Sequence, residues 1–229
     1  MRLKIDLKIF LFLLLFLITS QLKIYIIVMI FAVIHEIGHL ITGILLKFKV
    51  EEMQLTPMGI SLGFKIEAKE YNKKIKKGNR LNIKKAIIAI AGPVTNLIII
   101  CTLMIVNYFF PNFLDIYVYQ ICIYSNLIIA IFNLIPIYPM DGGRIIYEIL
   151  KIVKGYKKAY KLTYLMSKTV LIILTIISSI SILYLKNISI LFIIGYLWFL
   201  EFQEIRRYNK RKNIEKMVEY VEKREHNMV

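Results

Sequence analysis

The chain has few residues of the types that cross-link a fold or carry catalysis. Its 229 residues include two cysteines, three histidines and 15 acidic residues, against 31 lysines and arginines. Both cysteines, Cys101 and Cys122, fall inside long apolar stretches, which excludes a disulfide framework and a redox motif. The histidines and carboxylates that lie within apolar stretches are therefore the first candidates for a functional site.

What the chain has in abundance is apolar sequence. Hydrophobic residues make up 58% of it and the mean hydropathy is +0.64, which is too apolar for a soluble domain of 229 residues. Because about 20 residues span the hydrocarbon core, the apolar runs predict an all-α polytopic membrane protein with about six transmembrane helices. The predicted spans are Ile5–Leu22, Ile24–Leu46, Ala86–Phe110, Ile116–Ile137, Leu162–Leu185 and Ile188–Phe202.

The first predicted span is interpreted as a retained anchor, because no signal-peptidase site follows its apolar core. Residues 1–202 would then form one membrane domain, and residues 203–229 a charged cytoplasmic tail.

The net charge of +16 is concentrated in particular segments. Lysine and arginine crowd the N-terminus, residues 47–85, residues 144–161 and the tail from Arg206, whereas the intervening loops are nearly free of them. By the positive-inside rule, six spans with both termini in the cytoplasm of a multi-pass cell-membrane protein fit this pattern. Contact with anionic membrane lipid explains the basic excess, so no nucleic-acid partner is expected.

The segment HEIGH, residues 35–39, lies inside the second predicted span. On a helix, His35 and His39 are one turn apart and project from one face, with Glu36 beside them. Two such histidines with a third protein ligand form a catalytic zinc site, and Glu36 would be the base that takes a proton from water. A chance motif whose histidines only hydrogen-bond is the alternative, but ionisable groups inside a membrane are costly to retain without function.

The third ligand must come from another part of the chain. Asp141 is a candidate because it follows Pro136 and Pro139, which break the preceding helix, and precedes two glycines that permit a tight turn. Asp115 is the only other acidic residue between Glu70 and Glu148, and it is predicted on the far side of the membrane. The alternative is that Asp141 only caps the next helix.

Two amides inside predicted spans, Asn96 and Asn133, are further candidates for the site. Asn96 belongs to AGPVTN, residues 91–96, where small residues allow helices to approach closely. Asn96 could join helices by a hydrogen bond; alternatively, Asn96 and Asn133 could bind a substrate backbone or an oxyanion in the cleft.

Residues 50–66 alternate apolar and polar positions and include Gly59 and Gly63, which is typical of a β-hairpin. We expect a small membrane-associated hairpin or sheet here, after the second helix. Its edge could pair with an extended substrate segment.

Taken in order, the three motifs resemble those of the site-2 protease family of intramembrane zinc metalloproteases, peptidase family M50. HEIGH matches that family's HExxH, AGPVTN its GPxxN, and NLIPIYPMDGG its NxxPxxPxDGG. The resemblance implies His35, His39 and Asp141 as ligands of one Zn²⁺, Glu36 as catalytic base, and Asn96 and Asn133 near the cleft.

Within the family, the compact form looks most like the stage IV sporulation protein FB type. That likeness implies cleavage of a membrane-tethered pro-sigma factor in the mother-cell membrane surrounding the forespore, possible control by inhibitory membrane proteins, and no CBS domain in the 29 residues after Leu200. The alternatives are a general site-2 protease of envelope stress signalling and a non-proteolytic zinc-binding scaffold.

Overall fold

A computed structural model describes residues 2–5, 17, 22–56, 59–65, 76–111, 113–185 and 194–206. The protein is mostly helical. In chain order the elements are β1 (Arg2–Ile5), α1 (Leu22–Leu45), β2 (Lys49–Thr56), β3 (Gly59–Lys65), α2 (Lys76–Phe109), α3 (Ile116–Leu134), α4 (Asp141–Leu185) and α5 (194–206).

Among the described residues, four helical segments are long and apolar enough to cross a membrane: Leu22–Leu45, Asn79–Phe109, Ile116–Leu134 and Lys158–Ile180. They correspond to the four central spans predicted from the sequence. Most of the first predicted span and residues 188–193 of the last lie outside the described residues, so a total of six spans stays a prediction. The outward faces of these helices carry many isoleucines, as lipid-facing surfaces do.

Strands β1, β2 and β3 form one sheet in that order. β2 pairs antiparallel with β3, with an irregularity in register between Val50 and Glu52, and β1 joins the other side of β2 in parallel. The parallel β1 was not predicted, because four residues at the N-terminus give no periodic signal of their own. The predicted location of this sheet at a membrane surface stays a prediction.

Helix α2 packs against α1, α3 and α4. Its approach to α1 depends on Gly38, because a β-carbon there would collide with the side chain of Thr95 and would lie 3.2 Å from the carbonyl oxygen of Ala91. A side chain at residue 38 would force the two helices apart. The small-residue face predicted around AGPVTN therefore faces α1.

The turn between α3 and α4, residues 135–140, is held in place by a small apolar core. Ile137 is fully buried and packs with Leu171, Ile194 and Leu197 from α4 and α5. The amide of Tyr138 donates a hydrogen bond of 3.0 Å to the hydroxyl of Ser167. These contacts fix the start of α4, and thus Asp141, against the rest of the bundle.

Helix α4 is kinked at Gly155, whose φ of 75° and ψ of 166° are outside the helical region. Residues with a β-carbon rarely adopt this conformation. The kink separates the segment that begins at Asp141 from the long apolar segment Lys158–Ile180.

We expect Gly155→Ala to lower the free energy of unfolding by about 1–3 kcal/mol, because alanine is strained at this positive φ. The matched control is Gly195→Ala in α5, a helical glycine with open space around it, which should be neutral or slightly stabilising. Thermal unfolding of both variants in detergent micelles measures the difference. Equal stability of the two variants would contradict the strain at Gly155.

Candidate metal centre

Three buried side chains from two helices converge at one point. His35 and His39 lie one turn apart on α1, and Asp141 is the first residue of α4. Their exposed fractions are 2%, 4% and 4%. Oδ2 of Asp141 lies 3.1 Å from Nε2 of His35 and 3.0 Å from Nε2 of His39, and the two Nε2 atoms are 3.2 Å apart. The three atoms form a nearly equilateral triangle.

The hydrogen bonds behind the two rings determine their tautomers. Nδ1 of His39 lies 2.6 Å from the carbonyl oxygen of Ile88, which can only accept, so this nitrogen carries the proton. The amide of Asn96 donates to the carbonyl oxygen of Asn126 at 3.3 Å, which leaves its oxygen to accept from Nδ1 of His35 at 2.9 Å. In the neutral state both rings therefore present an unprotonated Nε2 to the centre of the triangle.

This donor set fits a zinc ion. Ligands about 2.0–2.1 Å from a tetrahedral Zn²⁺ are separated from one another by about 3.3 Å, close to the edges of the observed triangle. Two imidazole nitrogens and one carboxylate oxygen are also a common ligand set of catalytic zinc, which leaves a fourth position open. Without a cation, two nitrogen lone pairs and a carboxylate would face one another at hydrogen-bond distance.

Asp141 is suited to a ligand role by its charge. Burial opposes its ionisation, but the hydrogen bonds that His35 and His39 donate to it when their Nε2 atoms are protonated outweigh that effect, so the pKa of the carboxyl lies well below its usual range. Its second oxygen lies 3.8 Å from the guanidinium of Arg144. The carboxylate is therefore ionised and directed at both imidazoles. Helix α4 also begins at Asp141, so the residue predicted as a ligand is also the residue at the predicted helix start.

Gly92 on α2 keeps the centre of the site open. A β-carbon at this residue would collide with the ring of His39 and would lie 2.6 Å from Nε2 of His35. Any residue larger than glycine at this position would therefore fill the space in which an ion would lie. Gly92 was predicted only as part of a small-residue face; its place in GPxxN was the available signal for a more specific role.

Glu36 borders a cavity of about 310 Å³ beside the metal-binding group. The cavity is also lined by His39, Lys85, Arg144 and Glu148, with Tyr138 and Tyr147 at one side. A group that reaches this cavity can therefore contact Glu36 and His39 together. Of these residues only Glu36 and His39 were singled out from the sequence.

The structure separates the two amides predicted near the cleft. Asn96 is fully buried behind His35, where it orients the ring. Asn133 is partly buried, and its amide donates to the carbonyl oxygen of Ile129 in its own helix at 3.0 Å. Direct contact of either amide with a substrate stays a prediction.

The model of the family described as Peptidase family M50 matches residues 23–114 and 114–177. Two curated proteins are similar to the chain. A zinc metalloprotease of Methanocaldococcus jannaschii is 32% identical over 184 residues, which cover 80% of this chain and 49% of that protein. Stage IV sporulation protein FB of Bacillus subtilis is 24% identical over 147 residues, which cover 64% of this chain and 46% of that protein. The chain thus spans about half the length of the curated relatives it matches.

Among solved structures, the site-2 protease from Methanocaldococcus jannaschii superposes with a TM-score of 0.63 and 28% sequence identity. The superposition covers 88% of this chain and 89% of that one. His35, His39 and Asp141 all fall within the residues that the family model matches. The match over more than half of the chain, together with four apolar helices and the buried His35–His39–Asp141 group, shows that this integral membrane protein belongs to peptidase family M50, the site-2 protease family.

Proposed function

We propose that the chain is an intramembrane zinc endopeptidase. His35, His39 and Asp141 would hold one Zn²⁺, and Glu36 would be the catalytic base. The observation that carries the proposal is the triangle of ligand atoms whose edges are 3.0–3.2 Å and whose imidazole lone pairs are both directed inward. Family membership and the zinc metalloprotease relative support the same activity.

The bound zinc would supply a Lewis acid that lowers the pKa of a water to about 7. The residues of the chain do the rest. Glu36 accepts the proton of the attacking water and then delivers a proton to the leaving amine. Asn96 and the carbonyl of Ile88 hold the two imidazoles in the tautomers that leave Nε2 unprotonated.

The substrate must be extended at the site, because the hydrogen bonds of a helix shield its peptide bonds. We propose that an unwound segment of a membrane-associated protein enters the cavity beside Glu36 and pairs with the sheet. β3 is an edge strand of that sheet, and the sheet contacts α1, which carries HEIGH. Proline substitutions along β3 that left cleavage intact would contradict this pairing.

The proposed substrate is a membrane-tethered pro-sigma factor, cleaved near the cytoplasmic side during sporulation, with both termini of the protease in the cytoplasm. Similarity to a protein named for stage IV of sporulation supports this assignment. It also makes inhibitory membrane proteins the expected regulators, and the mother-cell membrane around the forespore the expected location. One alternative is a general site-2 protease of envelope stress signalling. The other is a non-proteolytic zinc-binding scaffold, which would need no base at residue 36.

We expect Glu36→Gln to reduce cleavage by about 10²–10⁴-fold while zinc content is retained, because the substitution removes the base but no ligand. The measurement is processing of a candidate pro-sigma factor co-expressed with either protein, together with metal analysis of both purified proteins. His35→Ala is the comparison variant and should lose zinc and cleavage together. Equal processing by wild type and Glu36→Gln would contradict the role of Glu36.

We expect Gly92→Ala to abolish zinc binding without preventing folding, because the added methyl group would occupy the space between the two imidazoles. Metal content of the purified protein tests this, with Gly195→Ala as the control at a glycine that has open space around it. Normal zinc content in Gly92→Ala would show that the ion lies elsewhere.

We expect Asn96→Leu to weaken zinc binding by about 10–100-fold, because His35 would lose the acceptor that fixes its tautomer. Competition with a chelator of known affinity measures the change. The control is Thr102→Val on the same helix, because that hydroxyl bonds only to the carbonyl of Ile98, one turn away. If Asn96→Leu binds zinc as tightly as Thr102→Val, Asn96 does not position His35.

A further inference from the structure

A second, smaller cavity adjoins the one beside Glu36. It has a volume of about 40 Å³ and lies between α4, α5 and the turn at residues 135–140. Its walls include Tyr160 and Thr163 of α4 and Glu201 and Glu204 of α5. Tyr138 and Tyr147 line both cavities, so these two side chains form part of the wall of each. A side chain of a group bound near Glu36 would have to pass along these rings to reach the second cavity.

Two polar side chains of this second cavity, Thr163 and Glu201, are buried. The hydroxyl of Thr163 is buried, and it has no hydrogen-bond partner among the described residues. Glu201 is only 3% exposed, which is unusual for a carboxylate that pairs with no buried cation within the described part of the chain. Lys168 acts on Glu201 electrostatically, but Lys168 is itself exposed to the surroundings. A buried acidic group beside an unpaired hydroxyl indicates a cavity built to receive a donor with positive charge.

The tyrosines of this region already bind one ammonium group. Nζ of Lys151 lies 4.0 Å from the centroid of the Tyr147 ring. The ring of Tyr147 also makes edge-to-face contacts with Tyr138 and Tyr160, at centroid distances of 5.6 and 6.3 Å. Aromatic faces attract cations, most strongly where water is excluded. The same group of rings can thus line the passage of a second ammonium group toward Glu201.

The size of the cavity limits the cation that it can hold. A single water needs about 10–15 Å³ by this kind of measure. The space of about 40 Å³ therefore accommodates a compact ammonium and one or two waters. The planar guanidinium of arginine, with five donors, fits less well than the ammonium of lysine.

We propose that this cavity is a specificity subsite that binds a lysine side chain of the substrate close to the scissile bond. Glu201 accepts a charge-assisted hydrogen bond from the ammonium, the hydroxyl of Thr163 accepts a second one, and the tyrosines surround the methylene stem. The inference rests on the proposed function, because it assigns a side chain of a peptide substrate. It adds a preference for lysine in the substrate, which the zinc ligands alone would not produce.

The test is a binding measurement that does not require cleavage. The probe is a fluorescent peptide with one apolar membrane span interrupted by a Gly-Pro break. Lysine, arginine or norleucine is placed in turn at each position around the break. Binding is measured in detergent micelles by fluorescence anisotropy, with zinc-loaded Glu36→Gln protein so that no probe is consumed. Norleucine matches the lysine stem and lacks only the charge.

At one probe position we expect lysine to bind about tenfold or more tightly than norleucine, the ratio typical of one hydrogen bond to a charged group, with arginine in between. Adding Glu201→Gln should abolish this preference and leave norleucine binding unchanged. Adding Ser179→Ala, whose hydroxyl bonds only within α4, should preserve it. If the Glu201→Gln protein does not retain zinc, Thr163→Val replaces it and should reduce the preference for lysine.

Equal binding of lysine and norleucine at every position would overturn the proposal, as would a preference that survives Glu201→Gln. Failure of the proposed function would be seen separately, as no cleavage of any probe by the protein with Glu36 intact. A lysine preference in that case would keep the subsite as a binding site and remove only the proteolysis.

Discussion

The structure depends on two hydrogen bonds that hold the histidine rings from behind. A neutral imidazole offers one donor and one acceptor, and the nitrogen that carries the proton is set by the partner of the other. Asn96 and the carbonyl of Ile88 each accept from Nδ1, so both Nε2 atoms face Asp141 without a proton. If either acceptor were lost, a ring could turn its proton toward the centre of the triangle, and the three atoms would then be less suited to bind a cation.

Helix α2 supplies most of what makes this arrangement possible. It carries the carbonyl of Ile88, the missing side chain of Gly92 and the amide of Asn96, on successive turns that face α1. The close approach permitted by Gly38 brings these groups within reach of both histidines. One helix therefore sets the tautomers of the ligands and also leaves the room for the ion, which explains why its small residues cluster beside HEIGH.

The polar groups of the site are costly inside an apolar bundle, and two of its carboxylates have cationic or imidazole neighbours that offset this cost. Asp141 is ionised although buried, because two imidazoles and Arg144 lie against it. Glu148 pairs with Lys151 at 2.8 Å, and the same ammonium covers the ring of Tyr147. Glu201 differs from these carboxylates. Among the described residues, the exposed Lys168 favours its ionised form and the neighbouring Glu204 opposes it, and Glu201 lines a cavity that shares Tyr138 and Tyr147 with the cavity beside Glu36. That difference is the basis for assigning it to a substrate rather than to the fold.

The sequence by itself determined the class of protein, the four central helices and the three candidate metal ligands. The apolar runs are long enough to be unambiguous, HEIGH places two imidazoles on one helical face, and the prolines before Asp141 end a helix at that point. Only the tertiary structure decided which nitrogens face the ion, that Gly92 leaves the space for it, and that a second cavity adjoins the first. These features depend on contacts between residues 49, 61 and 106 positions apart. Local periodicity in the sequence cannot predict contacts between residues so far apart, because these contacts form only when the helices pack.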